Sequence, residues 1–258
     1  MAIGASALHI VEHNAVVFRR LWRGTIAVSF FTPLFFLTAM GVGLGSLVNR
    51  GSGGLNGVPY VDYLAPGLLA AAAMQSISVE AMYPILNRIM WDRIYDAMLA
   101  TPIAVRDLVV GEVTWFALRA LMVSTVFWVV MAIFGIGHFP ESMLTIPCAA
   151  LTGVAFATPI MAFTSTRRND NGYAAINRFL LIPLFLFGGA FFPIDKLPLV
   201  LQAVVWVTPL PHGVALCRGV VLANIGPAEV AVHLLVLAAY VVAGVIATWI
   251  LLYRRLAK

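Results

Sequence analysis

The sequence predicts an all-α integral membrane protein with six transmembrane helices, an N-terminal interfacial helix and two outer re-entrant helices before the last span. Of the 258 residues, 62% are hydrophobic and only 10% are charged, whereas a soluble domain carries about a quarter charged residues. Several apolar stretches reach the length of a spanning helix, about 20 residues. Basic residues also concentrate on the side that these spans make cytoplasmic.

Residues 1–258 are predicted to form a single transmembrane domain. The six predicted spans are residues 25–48, 61–83, 108–136, 143–164, 174–192 and 229–253. The domain divides into an interfacial helix (1–24), spans one to five (25–192), an outer re-entrant region (193–228), and the sixth span with a basic tail (229–258).

The N-terminal segment has the pattern of an amphipathic helix in the cytoplasmic membrane interface. Apolar residues recur at spacings of three and four, and basic residues occupy other faces. The apolar positions are Leu8, Val11, Ala15, Phe18 and Trp22.

Charge asymmetry sets the orientation, because Lys and Arg concentrate in short cytoplasmic loops. Six spans place 12 of the 16 basic residues inside and three outside, with Arg119 inside a span. The inner residues are Arg19, Arg20, Arg23, Arg88, Arg93, Arg106, Arg167, Arg168, Arg178, Arg254, Arg255 and Lys258; the outer ones are Arg50, Lys196 and Arg218. A seventh span through residues 199–222 would reduce the contrast to 9 against 5. Both termini are therefore predicted to be cytoplasmic, and the net charge of +5 needs no nucleic-acid partner.

Residues 187–213, FGGAFFPIDKLPLVLQAVVWVTPLPHG, are too apolar for a solvent loop and too rich in proline for one spanning helix. The charge count places this stretch outside. Irregular backbone at membrane depth is tolerated where it is buried in protein or lines a wet cavity. We therefore predict two short helices that dip into the membrane and return, with a hairpin at residues 209–213.

The longest inner loop predicts a short amphipathic helix over residues 86–100, stopped by Pro102, and Asp107 can cap the next span. Its predicted apolar side carries Trp91, Ile94, Tyr95 and Met98. An exposed aromatic helix suggests a docking surface for a partner protein. An alternative is a metal-dependent transferase site at Asp92 and Asp96, although Arg93 lies between the two acids.

Three charged residues lie inside predicted spans, where charges are costly and face the bundle interior. Glu112 and Arg119 are seven residues apart and so share a helix face, and Glu80 has a depth similar to that of Glu112. They predict an ion-pair cluster between spans two and three. A gate, or an ion-coupled carrier that uses Glu80 and Glu112, remains open as an alternative.

No catalytic residue or metal site is predicted elsewhere. Neither Lys196 nor Lys258 follows a glycine, so there is no Walker A sequence. The GVGLG run at residues 41–45 predicts close helix packing. Cys148 and Cys217 lack the spacing of a disulfide framework or zinc site.

Three blocks of the sequence resemble permease subunits of type-2 ABC exporters, the ABC-2 membrane family that includes nodulation-factor and daunorubicin-type exporters. YLAPGLLAAAAMQS followed by Glu80 resembles the second span of the family. YDAMLATPIAVRDLVVGE resembles its inner loop and third span, and FGGAFFPIDKLPLVLQAVVWVTPLPHGVALCRGVVL resembles its C-terminal signature.

The resemblance implies an exporter subunit of the bacterial inner membrane that moves an amphipathic substrate such as a lipid, glycolipid, lipid-linked polysaccharide or hydrophobic drug. Separate ABC ATPase subunits would hold ATP and Mg²⁺, so this chain would bind no cofactor. A second copy or a paralogue would complete the transporter, with membrane lipids around it. The implied coupling residues are Arg88, Trp91, Asp92, Arg93, Ile94, Tyr95 and Asp96; the implied outer gate comprises Pro193, Pro198, Pro209, Pro211, His212 and Arg218.

Overall fold

The computed structural model describes residues 3–52, 54–55 and 57–256, and its regular elements are all helical. Lys258, counted above among the inner basic residues, lies outside the described residues. The α-helices are α1 (Ile3–Phe36), α2 (Gly45–Ser52), α3 (Tyr60–Met90), α4 (Ile94–Leu99), α5 (Val105–Ile133), α6 (Thr145–Thr166), α7 (Asn171–Ile176), α8 (Ile182–Phe187), α9 (Leu199–Val207), α10 (Pro209–Val221) and α11 (Pro227–Leu256). Segments of π-helix join α1 to α2 (Leu37–Leu44) and α7 to α8 (Asn177–Leu181), and short 3₁₀ turns cover Glu141–Leu144 and Ile194–Lys196.

Five helical stretches in the described part of the chain are long and apolar enough to cross a membrane. They are Ser6–Gly51, Tyr60–Met90, Val105–Ile133, Glu141–Thr166 and Pro227–Leu256. These stretches contain nearly all of the predicted spans one to four and six, so a multi-pass helical membrane fold is confirmed.

The predicted fifth span is shorter than expected. Its helix covers Asn171–Phe187, 17 residues, which is about 25 Å at 1.5 Å per residue and at the lower limit for a span. The helix ends at Phe187, Gly188 caps it, and Gly189 adopts φ +87°. Because that left-handed backbone favours glycine, the chain turns five residues before the predicted end of the span.

The N-terminal segment is helical over its described residues, as predicted, but it is continuous with span one; its location in the membrane interface stays a prediction. Helix α1 runs through residue 24 without a break and packs along α5. Ile10 lies against Gly111, and the Phe18 ring meets the Trp115 ring edge-on at 6.0 Å. Gly24 does not end the helix, because one interior glycine costs only about 1 kcal/mol relative to alanine.

Helices α3 and α6 form the centre of the bundle. In the most apolar stretch of each helix, 72% of the residues of α3 and 67% of those of α6 are buried, whereas in α11 only 11% are buried. Small residues allow the close approach: a Cβ on Gly153 of α6 would lie 3.0 Å from the Ala73 carbonyl oxygen of α3. The GVGLG prediction is right for Gly41, where a Cβ would lie 2.9 Å from Val61, whereas Gly43 faces open space.

The proline-rich outer stretch forms two helices, α9 and α10, bent by 84° against each other. This geometry is that of a broken span or a re-entrant loop. The bend falls at Thr208, since Pro209 and Pro211 occupy the first turn of α10, where a proline lacks no needed hydrogen bond. The predicted hairpin at residues 209–213 is therefore wrong by a few residues.

Candidate functional site

The inner loop between α3 and α5 is built from two helical pieces instead of the single helix predicted over residues 86–100. Helix α3 continues to Met90, and α4 begins only at Ile94. Arg93 between them has φ 47°, a left-handed conformation that ends regular helix. The Asn87 amide donates to the Asp92 carboxylate across this turn.

The turn exposes a small mixed surface, which we call the docking tip: Trp91, Asp92, Arg93 and Asp96. Trp91 is 61% exposed. Ile94 is half-buried and is the first residue of α4. Four of the seven predicted coupling residues are thus exposed together, at the end of the bundle that the charge asymmetry predicts to be cytoplasmic.

Tyr95 and Arg88 face inward, contrary to the prediction that both lie on a docking surface. Tyr95 is fully buried, and its hydroxyl donates to Glu112 Oε1 at 3.1 Å. Arg88 Nη1 lies 2.6 and 2.7 Å from the two Glu112 oxygens. Asn14 Nδ2 donates to Glu112 Oε2 at 3.1 Å.

These four residues form what we call the Glu112 node. Glu112 is 1% exposed, and three donors from α1, α3 and α4 satisfy its carboxylate, as a buried charge requires. Burial, and then the neighbouring Glu112, raises the pKa of Tyr95 well above its ordinary value. Tyr95 therefore stays protonated and can remain a donor, so the docking tip is attached to three long helices.

Glu80 and Arg119 form a second, separate pair, which divides the predicted cluster of three charges. Arg119 Nη2 lies 3.4 Å from Glu80 Oε2, and Trp115 Nε1 donates to Glu80 Oε1 at 3.2 Å. The Arg119 guanidinium lies 4.5 Å from the centre of the Phe18 ring, a cation–π distance. Glu112 shares a helix face with Arg119 in sequence but pairs with Arg88 instead.

In the outer region, prolines delimit the short helices and two histidines meet. Pro193 and Pro198 precede the 3₁₀ turn and α9. His212 Nδ1 lies 2.8 Å from His233 Nδ1, and its Nε2 lies 3.1 Å from the Trp206 carbonyl oxygen. The spacing of the histidines in the sequence does not indicate this contact, because His233 lies on α11, 21 residues further along the chain.

Arg218 of α10 holds three parts of the outer region together. It donates to the carbonyl oxygens of Tyr63 (3.1 Å), Gly189 (2.8 Å) and Ala190 (3.2 Å). The guanidinium also lies 3.6 Å from the centre of the Tyr63 ring. In the sequence, this site is indicated by an arginine inside a short apolar helix. Its role is to fix the loop after α8 against α3, beside an outer cavity of about 330 Å³.

Asp92 and Asp96, the residues of the transferase alternative, are both exposed, and Asp92 is bonded to Asn87. Within the described ranges no three His, Cys, Asp or Glu side chains stand close enough to hold one metal ion. Cys148 and Cys217 are free thiols. At the inner loop and at the charged residues inside the spans, by contrast, several polar side chains from different helices contact one another.

A bundle of long apolar helices with charged groups paired inside it defines a multi-pass helical membrane protein. The chain belongs to the ABC-2 type transporter family, whose model matches residues 10–222. It is a membrane subunit of an ABC transporter, and membership in this family implies an ABC ATPase partner in general.

Curated relatives agree over nearly the whole chain. Nodulation protein J of Rhizobium leguminosarum bv. viciae is 31% identical over 255 residues, which cover 99% of this chain and 96% of that protein. Nodulation protein J of Sinorhizobium fredii is 31% identical over 245 residues, covering 95% and 92%. The inner membrane transport permease YadH of Escherichia coli is 21% identical over 198 residues, covering 76% and 74%.

Proposed function

We propose that this chain is the permease subunit of an ATP-driven exporter for an amphipathic substrate. It holds no nucleotide itself, and a separate ATPase subunit, which binds ATP and Mg²⁺, docks on the docking tip. The protein resides in the inner membrane with both termini in the cytoplasm, as the charge asymmetry predicts and as the name of the Escherichia coli relative supports.

The single observation that carries the proposal is the division of the inner loop into an exposed and a buried half. A loop that served only as a connection would have no need of a buried ionic anchor. Here Trp91 is available to a partner, while Tyr95, four residues later, is bonded to Glu112. Force applied to the docking tip would therefore reach α1, α3 and α5 together.

The outer region supplies an element that such a force could move. Helices α9 and α10 are joined at one bend, and His212 connects that bend to α11. Arg218 connects α10 to α3. We propose that a shift of α3 relative to α10 opens the outer path, with Pro193, Pro198, Pro209 and Pro211 delimiting the moving pieces.

A second permease copy is expected against spans one and five. Phe36 of α1 and Phe185 of α8 touch edge-on at 6.2 Å, so the two spans are neighbours. Phe35 and Phe179 beside them are 67% and 81% exposed. In a monomer, membrane lipid would cover this surface instead. A cysteine at position 35 tests the dimer, because it can form a cross-link between two copies only if this surface is their interface.

The docking tip is tested by Trp91→Ala in cells that also produce the ATPase. We expect ATPase co-purification to fall by about tenfold or more, because buried aromatic anchors dominate protein interfaces. The matched control is Phe139→Ala, since Phe139 is 74% exposed on the predicted outer side and should leave co-purification unchanged. Unchanged association of the Trp91 variant would remove the coupling role.

The energy source of transport distinguishes the ATP-driven exporter from the competing ion-coupled carrier. An exporter driven by the ATPase needs ATP and tolerates collapse of the proton gradient. A carrier that uses Glu80 and Glu112 predicts transport that follows the proton gradient and survives ATP depletion. Asp92→Asn likewise separates the transferase hypothesis, which requires that carboxylate.

A further inference from the structure

A basic pocket lies where the C-terminal ends of α6 and α11 meet, on the side that the charge asymmetry predicts to be cytoplasmic. Its volume is about 430 Å³, which is within the range of ligand pockets, about 300–1,000 Å³. The described residues that line it bring three guanidinium groups and no carboxylate: Ser165, Thr166, Arg168, Leu251, Arg254 and Arg255. A pocket with this lining attracts an anion.

Arg255 builds the pocket. Its Nη1 donates to the carbonyl oxygens of Ser165 and Arg167, both at 2.7 Å, and so holds the end of α11 against the end of α6. Its Nη2 contacts Met90 Sδ at the end of α3, and Asp96 of α4 attracts its charge from beyond ion-pair distance. Arg255 therefore has a structural role, because its guanidinium is already bonded to the chain itself.

Arg168 and Arg254, in contrast, are exposed and available to a ligand. Within the described part of the chain, neither side chain makes a hydrogen bond or an ion pair. The three arginine charges around one pocket repel one another, and no carboxylate of the described residues lies at ion-pair distance from any of them. An anion in the pocket would relieve this repulsion and could pair with both available guanidinium groups.

The exposed face of α11 leads from the membrane into the pocket. Among the five described spans, α11 has the smallest buried share of its apolar stretch, 11%. Val242, Ile246, Ile250 and Arg254 recur every four residues and so lie along one side of the helix, and all four are exposed. Tyr253 beside Arg254 is exposed as well, and tyrosine is enriched at the membrane–water interface. A ligand that reaches Arg254 along this face has an apolar part and an anionic end.

The chemistry of the pocket favours a phosphate group without an attached cation. Guanidinium groups bind phosphate oxygens through pairs of parallel hydrogen bonds. A phosphatidylcholine head group would bring a choline cation to the three arginines, whereas phosphatidylglycerol brings only hydroxyls. The Thr166 hydroxyl donates to the Phe163 carbonyl oxygen at 2.7 Å, so its oxygen can still accept from such a hydroxyl. Basic pockets between helices on the cytoplasmic side suit anionic head groups.

We propose that the basic pocket binds the phosphate of an anionic phospholipid of the surrounding membrane, with phosphatidylglycerol as the preferred type. Arg168 and Arg254 hold the phosphate, Arg255 keeps the two helix ends together, and the acyl chains lie along the exposed face of α11. This site goes beyond the proposed function and does not depend on it, because neither the ATPase nor the transported substrate takes part.

The test titrates phosphatidylglycerol or phosphatidylcholine into the purified full chain in detergent micelles and counts the bound lipid by native mass spectrometry. We expect the wild type to bind the first phosphatidylglycerol about tenfold or more tightly than the first phosphatidylcholine. Arg168→Gln combined with Arg254→Gln should weaken phosphatidylglycerol binding about thirtyfold, since each arginine contributes a factor of about five. Its phosphatidylcholine binding and its unfolding in SDS should not change, because neither side chain bonds to a described residue.

The matched control is Arg19→Gln combined with Arg20→Gln, which removes two exposed arginines of α1 on the same predicted side and should bind phosphatidylglycerol like the wild type. Equal weakening in both double variants would show a general attraction of charges and overturn the site, as would equal wild-type affinity for the two lipids. Displacement of the lipid by millimolar inorganic phosphate would mean an anion site without a lipid. If the Arg168 and Arg254 variant loses ATPase co-purification but keeps its phosphatidylglycerol affinity, the pocket is a protein contact and the proposal fails.

Discussion

Two acids inside the helix bundle, the buried Glu112 and the half-buried Glu80, have opposite surroundings. Glu112 accepts from Asn14, Arg88 and Tyr95, so its hydrogen-bonding capacity is used by the chain itself. Glu80 has one ionic partner and one indole donor, but it borders a cleft in which Gln75 and other polar groups have no partner within the described residues.

This difference separates a structural joint from a weakly bonded region. A satisfied buried charge network rigidifies what it joins, whereas buried polar groups without partners are costly unless something else satisfies them. The Glu112 node therefore connects the docking tip to the bundle, whereas the polar groups near Glu80 make few contacts with the rest of the chain. Substitutions that remove polar atoms should consequently be costly at the node and cheap at the cleft.

Glu112→Leu should give the largest loss of stability. It leaves the Arg88 charge and two neutral donors buried without an acceptor, and removing one partner of a buried pair costs about 3–5 kcal/mol. Unfolding by SDS in mixed micelles measures the change. A loss below about 1 kcal/mol would show that the node is not a structural joint.

Glu80→Gln should cost less, about 1–3 kcal/mol, the penalty for leaving one buried polar group unsatisfied. The glutamine oxygen can still accept from Trp115, but Arg119 loses its counter-charge. The same SDS titration compares the two variants directly. A loss equal to that of Glu112→Leu would erase the distinction between the two acids.

Tyr95→Phe should destabilise the chain by about 1 kcal/mol, the net value of one hydrogen bond. The buried ring is retained, and Glu112 keeps its other two donors. Because the anchor of the docking tip is loosened and not removed, ATPase co-purification should persist while ATP-driven transport falls. Co-purification and transport assays on one preparation measure both effects, and a parallel fall in the two would contradict the expected separation.

Gln75→Leu should have the smallest effect on stability, within about 0.5 kcal/mol of the wild type or slightly stabilising, since the amide makes no bond that would be lost. SDS unfolding of the empty, lipid-free protein measures it. A loss above about 2 kcal/mol would mean that the amide has a structural partner, for example in a second copy.

The comparison also shows what the sequence could predict. Composition, span length and charge asymmetry predicted the helical membrane fold, because hydropathy is a property of each segment alone. The bend near Pro209 and the cap at Asp107 followed from local backbone chemistry; the Asp107 carboxylate does accept from the Ala104 amide at 3.1 Å.

Pairings between segments were harder to predict. Helical spacing correctly put Tyr95 on an apolar side of the inner loop, but spacing cannot tell whether that side meets a partner protein or the chain itself. Glu112 and Arg119 share a face, yet Arg88 reaches Glu112 from another helix. The contact between His212 and His233 and the role of Asn14 depend on how distant helices pack, and no local pattern contains that information.

The central claim is that the docking tip binds an ABC ATPase, and photo-cross-linking in cells tests it most directly. A photoreactive benzoylphenylalanine takes the place of Trp91, and in a control strain it takes the place of Phe139. We predict that position 91 cross-links to an ATPase subunit identified by mass spectrometry and that position 139 does not. No ATPase adduct at position 91, or equal adducts at both positions, would contradict the account.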